Sequence, residues 1–153
     1  MLKHKDLIEQ IKDPFELFKK WYDLACETEI NDPNAMTLST VYNNQPSSRV
    51  VLLKSYDQNG FVFYTNSNSK KGTSIQINNN VAVNFHWKTQ NRQIRIEGNA
   101  NIVSDSVADS YFKSRPRGSQ IGAWSSNQSA DLSSREELLD SICLLYTSDA
   151  ADE

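Results

Sequence analysis

The chain has 153 residues, 38% of them hydrophobic and 23% charged, and a formal net charge of -3. This length and composition allow one domain with a core and argue against disorder throughout. Two cysteines and two histidines are too few for a disulfide framework or a cluster of metal ligands, so no metal is expected. No apolar run approaches the roughly 18 residues of a membrane span, and the N-terminus lacks the apolar stretch of a signal peptide. A cytoplasmic protein that does not enter a membrane is therefore expected.

Positive charge is concentrated in the middle of the chain. Residues 35–128 contain ten Lys and Arg against four Asp and Glu, a net charge of +6, which leaves both ends acidic. The basic residues are interleaved with β-type apolar positions and form no continuous polybasic arm, so nucleic acid is not expected as a partner. Small phosphorylated ligands suit this pattern better.

The first predicted element is an amphipathic helix. Asp13 is a suitable N-cap, Pro14 fits the first helical position, and Glu16 completes a capping-box pattern. Apolar residues then fall on one helical stripe, so this helix is expected to pack against another element.

Strand-type patterns begin at residue 36. β-branched and aromatic residues predict strands over 36–42, 48–56, 61–65, 81–87 and 92–103. The turn signals Asn43-Asn44-Gln45-Pro46 and Asp57-Gln58-Asn59-Gly60 separate the first three. A short helix is predicted over 69–77, with Gly72 as its weak position. Five or more antiparallel strands with few helices between them predict a mainly antiparallel β fold, a closed or split barrel.

The segment over 111–129, YFKSRPRGSQIGAWSSNQS, combines candidate anion ligands with helix breaks. A predicted helix that begins near residue 104 places Tyr111 and Arg115, four apart, on one face, and Pro116 ends it. Ser119 is predicted to open a second short helix, where a hydroxyl and free N–H groups would attract an anion. The three side chains could then converge on one phosphate. The alternative is that Tyr111 is a core residue and Arg115 a solvated charge.

A second basic segment, SSRVVLLKSYDQNGFVFYTNSNSKK, lies at 47–71. In a regular strand Arg49 and Lys54, five apart, would point to opposite faces. Tyr64, Thr65, Lys70 and Lys71 then place hydroxyl groups and cations near the start of the predicted helix, a combination suited to a phosphate. A half-buried strand with charged ends, or a surface lysine pair, is the alternative.

Together these two segments resemble the pyridoxamine 5'-phosphate oxidase family, the flavin enzymes that make pyridoxal 5'-phosphate. The family's patterns RxVLLK, FYTNxxSxK and YFxSRPxxSQIGAWxSxQS occur here in order, from Arg49 to Ser129. The resemblance implies an FMN-binding split β-barrel with peripheral helices, and a homodimer with FMN between its subunits. It also implies oxidation of pyridoxamine or pyridoxine 5'-phosphate, in which the flavin accepts a hydride and oxygen reoxidises it with release of peroxide.

The resemblance also implies individual roles. FMN contacts are implied for Arg49, Val50, Val51, Leu52, Leu53, Lys54, Tyr64, Thr65, Lys70, Lys71, Gln93, Gln128 and Ser129. Contacts to the substrate phosphate are implied for Lys54, Tyr111, Arg115 and Ser119. No catalytic residue of the protein is implied. Strand alternation places Gln93 opposite Ile94 and Ile96, where its amide could donate to and accept from the polar edge of the flavin. The family often has Arg where this chain has Lys70, and Lys lacks the bidentate fork.

Several alternatives and departures remain. A split-barrel flavin reductase or another FMN oxidoreductase with a different substrate is one alternative, and a non-catalytic binder of FMN or pyridoxal phosphate is the other. The domain is expected to span residues 1–142 and to be C-terminally incomplete. Residues 143–153, CLLYTSDAADE, resemble a translated sequencing adaptor, with an ordinary polar tail as the alternative. The family's N-terminal and C-terminal site segments have no counterpart here, so an inactive fragment is one expected outcome.

Overall fold

The computed structural model describes residues 11–125 and 134–149, so Gln128 and Ser129 lie outside the described residues. The helices are α1 (Pro14–Thr28), α2 (Lys70–Ile77), α3 (Asp105–Ser114), α4 (Arg117–Ser125) and α5 (Arg135–Asp149). The strands are β1 (Ala35–Tyr42), β2 (Gln45–Leu52), β3 (Ser55–Asp57), β4 (Gly60–Val62), β5 (Asn80–Trp87) and β6 (Arg92–Asn99). These elements form two compact units: residues 11–64 and 80–99, and residues 65–79, 100–125 and 134–149.

The first unit contains a four-stranded antiparallel sheet in the order β2-β1-β5-β6. Tyr42 pairs with Gln45, so the turn between β1 and β2 has two residues and not the four predicted. Asn43 and Asn44 make this possible, because both adopt positive φ, 48° and 60°, as tight hairpin turns require. The prediction of a mainly antiparallel sheet is confirmed.

The two faces of this sheet differ in burial. Met36, Leu38 and Thr40 of β1 are buried on what we term the inner face, which also carries Phe85 and Trp87 of β5. The intervening residues point to the opposite, outer face and are more exposed. This alternation is the expected period of two for a sheet with one covered face.

Helix α1 packs on the inner face, as its apolar stripe predicts. Asp13 caps it, since the Asp13 carboxylate accepts a hydrogen bond of 2.9 Å from the Phe15 N–H. Phe18 is buried, and its ring centre lies 4.8 Å from those of Tyr56 and Phe61. Its ring centre is also 5.3 Å from that of Phe85, so the helix, the β3–β4 hairpin and β5 share one aromatic core.

The single strand predicted over 48–56 is wrong, because β2 ends at Leu52 and β3 begins at Ser55. Leu53 leaves the sheet. Its N–H donates to the Asn34 carbonyl, and its carbonyl accepts from the Asn34 side-chain amide. Lys54 N–H then bonds to the Val62 carbonyl at 2.8 Å, so the chain changes its pairing partner from β1 to β4. β4 and β6 are also shorter than predicted, ending at Val62 and Asn99.

The second unit contains α2 to α5. Ser69 caps α2, and Gly72 is required inside it: a Cβ there would lie 2.7 Å from the Asn66 carbonyl oxygen and closer still to that of Ser67. The helix predicted over 69–77 is therefore confirmed, and its apparent weak position has a steric reason. α5 continues across residue 143, where the non-native tail was predicted to begin, and that boundary stays a prediction.

Candidate functional site

The outer face of the sheet presents apolar side chains beside an amide pair. Val50 is 64% exposed and Leu52 38% exposed, although both are large and apolar. Val50 pairs with Thr37, which pairs with Asn84 on its other side, so these residues form one row across the sheet. Gln93 lies on the same face, as predicted, and its Nε2 donates a 2.8 Å hydrogen bond to Asn84 Oδ1.

A shallow groove of about 370 Å³ adjoins this amide pair. Asn84, His86, Asn91, Arg92 and Gln93 line it. His86 is exposed on the outer face, where it pairs with Gln93 across the strands.

Arg49 points to the inner face and is only partly accessible. One guanidinium nitrogen donates to the Leu38 carbonyl at 3.1 Å and to Thr40 Oγ1 at 2.9 Å, and the other donates to Ser47 Oγ at 2.9 Å. Burial lowers the pKa of Arg49 from its usual value, because a desolvated cation is less stable. All these acceptors are neutral, and among the described residues the guanidinium has no carboxylate partner. An anionic ligand would compensate this charge.

The rest of the segment from Arg49 to Lys54 does not present a single face. The side chains of Val51 and Leu53 are buried at 8% and 3% exposure, so they belong to the core. Lys54 is exposed and lies outside β2, so the predicted alternation between Arg49 and Lys54 within one strand does not apply. Tyr64 follows β4 and is half-buried.

In the second unit, Ser69 and Lys71 form a buried polar cluster at the start of α2. Lys71 is 8% exposed, and its ammonium donates to Ser69 Oγ at 3.0 Å. Ser69 Oγ also accepts from the Gly72 N–H and donates to the Asn66 carbonyl. Lys70 is exposed at the first helical position, and Thr65 is half-buried. The first turn of α2 carries no acidic residue, so cations and N–H groups dominate its electrostatics.

The structure changes how Tyr111, Arg115 and Ser119 are presented, while their convergence on one phosphate stays a prediction. α3 ends at Ser114, and Arg115 is its C-cap in an extended conformation, so Tyr111 and Arg115 do not share a helical face. The Arg115 guanidinium carbon lies 5.7 Å from the centre of the Phe112 ring.

Ser119 does not open α4, which begins two residues earlier at Arg117. Pro116 has the fixed φ of a helix start, and its carbonyl accepts from the Ser119 N–H at 2.8 Å. The N–H of Ser119 is therefore already used, while its side chain is exposed.

Asn84 is the residue that the sequence analysis missed. An Asn inside the apolar run VAVNFHW is itself a signal, because Asn is depleted in strand interiors. Its contact with Gln93 depends on the register of β5 and β6, which the sequence does not reveal.

Comparison with solved structures defines the class of fold. PhzG from Burkholderia lata 383, solved in complex with tetrahydrophenazine-1-carboxylic acid, matches with a TM-score of 0.89 and 27% identity over 97% of this chain and 74% of that one. A pyridoxamine 5'-phosphate oxidase-related, FMN binding protein from Nostoc punctiforme matches with a TM-score of 0.65 and 13% identity, covering 84% of this chain and 72% of that one. The split-barrel class predicted from the sequence is thereby confirmed.

Comparison of sequences defines the family. The family model described as pyridoxamine 5'-phosphate oxidase matches residues 23–146. The pyridoxine/pyridoxamine 5'-phosphate oxidases of Allorhizobium ampelinum and Pelagibacter ubique are 53% and 51% identical over 80% and 85% of this chain. The chain spans 60% and 63% of the length of those two relatives. It belongs to the pyridoxamine 5'-phosphate oxidase family.

Among the described residues, no helix is both long and apolar enough to cross a membrane.

Proposed function

We propose that this protein is an FMN-dependent oxidase that converts pyridoxamine or pyridoxine 5'-phosphate to pyridoxal 5'-phosphate, with oxygen as acceptor. Membership of the family and the names of relatives about 50% identical support the reaction class. The structural observation that carries the proposal is the outer face of the sheet, where exposed Val50 and Leu52 lie on the same face as the Asn84–Gln93 amide pair.

This face fits the ring of a flavin. Binding is favoured when a planar ring covers exposed apolar side chains, by about 25 cal/mol per Å² of apolar area removed from water. The flavin ring has apolar faces and an edge of carbonyl and N–H groups, so it needs both a platform and an amide. Val50 and Leu52 supply the first and Gln93 the second.

Cations and helix N–H groups fit a phosphate. Lys70 and Lys71 begin α2, and the Lys71 ammonium donates to Oγ of Ser69, the N-cap of this helix. Arg49, whose hydrogen bonds all go to neutral acceptors, is a further candidate for the FMN phosphate. The family correspondence extends this role to Arg49, Val50, Val51, Leu52, Leu53, Lys54, Tyr64, Thr65, Lys70, Lys71, Gln93, Gln128 and Ser129. For Val51 and Leu53, whose side chains are in the core, the contact would come from the backbone.

The substrate phosphate is assigned to Lys54, Tyr111, Arg115 and Ser119. Arg115 is the strongest of these candidates, because its cation–π contact with Phe112 leaves the in-plane N–H groups available for a phosphate. When bound, FMN would supply the redox chemistry: two electrons from the substrate would pass by way of the flavin to oxygen, giving hydrogen peroxide, and with the amine substrate water would be consumed and ammonia released. The protein's part is to bind and orient both phosphorylated molecules. A homodimer that binds FMN between its subunits is part of the same proposal.

A second candidate function is FMN-dependent oxidation of a different substrate. The match to PhzG favours it, because that structure resembles this chain with a TM-score of 0.89 while holding a tricyclic carboxylic acid. Peroxide release with pyridoxamine phosphate, and none with a tetrahydrophenazine carboxylate, would favour the first candidate. The reverse would favour the second.

The test of the cofactor is a pair of fluorescence titrations with the 153-residue chain, one with FMN and one with riboflavin. Both have the same ring, but only FMN has a phosphate. Since hydrogen bonds to charged groups contribute about 1.5–3 kcal/mol, FMN should bind roughly ten- to hundred-fold more tightly. Equal affinities would contradict the phosphate ligands, and no binding of FMN would contradict the proposal that this chain holds it.

A further inference from the structure

Asn84 and Gln93 form a cross-strand amide pair whose orientation matters for a ligand. Gln93 pairs directly with His86, and Asn84 pairs with Arg95, so the bond between Gln93 Nε2 and Asn84 Oδ1 is diagonal across β5 and β6. Its length is 2.8 Å, and Gln93 is exposed. An exposed Gln without such a partner would sample many rotamers and would lose more side-chain entropy when a ligand orders it.

The bond also determines what Gln93 can offer. A carboxamide has two N–H donors and one carbonyl acceptor. Asn84 Oδ1 uses one donor, which leaves Gln93 with its Oε1 acceptor and one N–H side by side. Without a fixed partner, the same carboxamide could present its two ends in either order.

This remaining pair matches the imide edge of a flavin ring. That edge presents an N–H flanked by two carbonyl oxygens. Gln93 Oε1 can accept from the N–H while its remaining N–H donates to one neighbouring carbonyl, so Gln93 satisfies two of the three polar groups of that edge. If the Gln93 carboxamide were flipped in the same place, its N–H would face the N–H of the ring and its Oε1 would face a ring carbonyl.

We propose that Asn84 is a positioning residue that orders the Gln93 carboxamide before the cofactor binds and fixes which of its ends faces the flavin ring. This inference rests on the proposed function, because it takes FMN as the ligand. Asn84 acts through Gln93 and needs no contact of its own with the ring. Preorganisation of this kind strengthens binding by lowering its entropic cost.

The chain provides a matched control for the experiment. Asn80, four residues earlier on the same face of β5, accepts a 3.1 Å hydrogen bond from the Asn99 side-chain amide of β6. N80L therefore removes an amide–amide bond between the same two strands at a distance from Gln93. N84L removes the proposed positioning bond, and N84D keeps an acceptor while removing the possibility that residue 84 donates.

The first measurement is made without ligand. The side-chain amide resonances of Gln93 are followed by 15N relaxation in wild type, N84L, N84D and N80L. N84L should make the Gln93 amide markedly more mobile, while N84D and N80L should leave it ordered. An equally ordered Gln93 in N84L would overturn the proposal, even if FMN did not bind.

The second measurement is FMN affinity, together with the near-ultraviolet absorption of the bound flavin, which responds to hydrogen bonds at its carbonyls. A net hydrogen bond of about 0.5–1.5 kcal/mol corresponds to a roughly two- to ten-fold weaker affinity in N84L, with an altered spectrum. N84D should bind FMN with an affinity closer to that of wild type. In a Q93L background, adding N84L should cause no further loss of FMN affinity. Wild-type affinity in N84L, or a loss in N84D as large as that in N84L, would overturn the assignment and leave the proposed function intact. Failure of the wild-type chain to bind FMN would instead overturn both.

Discussion

Gly72 allows a prediction in which helix propensity and packing oppose each other. In a helix interior, Gly→Ala normally stabilises by about 1 kcal/mol. At residue 72, however, the new Cβ would meet backbone carbonyl oxygens of Asn66 and Ser67, which cannot move away as a flexible side chain could. Overpacking of this kind costs about 1–3 kcal/mol.

Movement of that backbone has a further cost. The Asn66 carbonyl accepts from the Ser69 N–H at 3.1 Å and from the Ser69 hydroxyl at 2.6 Å. Loss of one such bond costs about 1 kcal/mol. Combining these effects, G72A should lower the free energy of unfolding by about 1–3 kcal/mol despite its better helix propensity.

Gly122 provides the matched control. It lies inside α4, but a Cβ there would meet no atom of the described residues within 4 Å. G122A should therefore show only the propensity effect, a gain of about 0.5–1 kcal/mol. The two variants make the same chemical change in two helices and should differ in sign.

The assay is urea unfolding followed by far-ultraviolet circular dichroism. With a slope of about 2 kcal/mol per molar urea, a loss of about 2 kcal/mol lowers the midpoint by roughly 1 M. A G72A midpoint equal to or above that of wild type would refute the steric reasoning. Because Ser69 and Lys71 share this helix start, G72A should also weaken FMN binding, whereas G122A should not.

Three further predictions concern the core, pH dependence and the substrate phosphate. F18A should lower the free energy of unfolding by about 3–5 kcal/mol, because it removes a buried ring. The control I30A changes a side chain that is 90% exposed and should alter the free energy of unfolding by less than about 0.5 kcal/mol. A similar small effect for both variants would contradict the packing of α1. Burial, assisted by the neighbouring Cys26, raises the pKa of Tyr22 from its usual value of 10.0 to about 12. The contribution of Tyr22 to the free energy of unfolding should therefore be constant below pH 10 and should decline as the pH rises toward 12. The decline should be shallower in Y22F. R115A should raise KM for pyridoxamine phosphate by roughly ten- to hundred-fold while leaving FMN affinity unchanged. The control R117A removes a guanidinium that lies over Trp124, and it should change neither quantity. Equal weakening of both ligands in R115A would contradict the role assigned to Arg115.

Local chemistry explains which parts of the fold the sequence predicts. Asp13, Ser69 and Pro116 act through groups within a few residues of themselves, so their helix boundaries were predicted to within one or two positions. The wrong boundaries depend on distant partners. The break after Leu52 exists because Leu53 bonds to Asn34 and Lys54 to Val62, and neither partner is visible in the local pattern.

The same distinction applies to the candidate site. Alternation correctly placed Gln93 on the face opposite Ile94, because a strand's period is local. It failed for Arg49 and Lys54, since it assumed a strand that continues past Leu52. The partnership of Asn84 with Gln93 required the register of two strands, and the extended conformation of Arg115 required knowing where α3 ends.

The most direct test of the proposed oxidase is to add pyridoxamine 5'-phosphate to the FMN-loaded chain in air and to measure peroxide and pyridoxal 5'-phosphate together. Both products should appear in equal amounts, and neither should appear without FMN. A chain that is saturated with FMN but releases neither product would contradict the proposal.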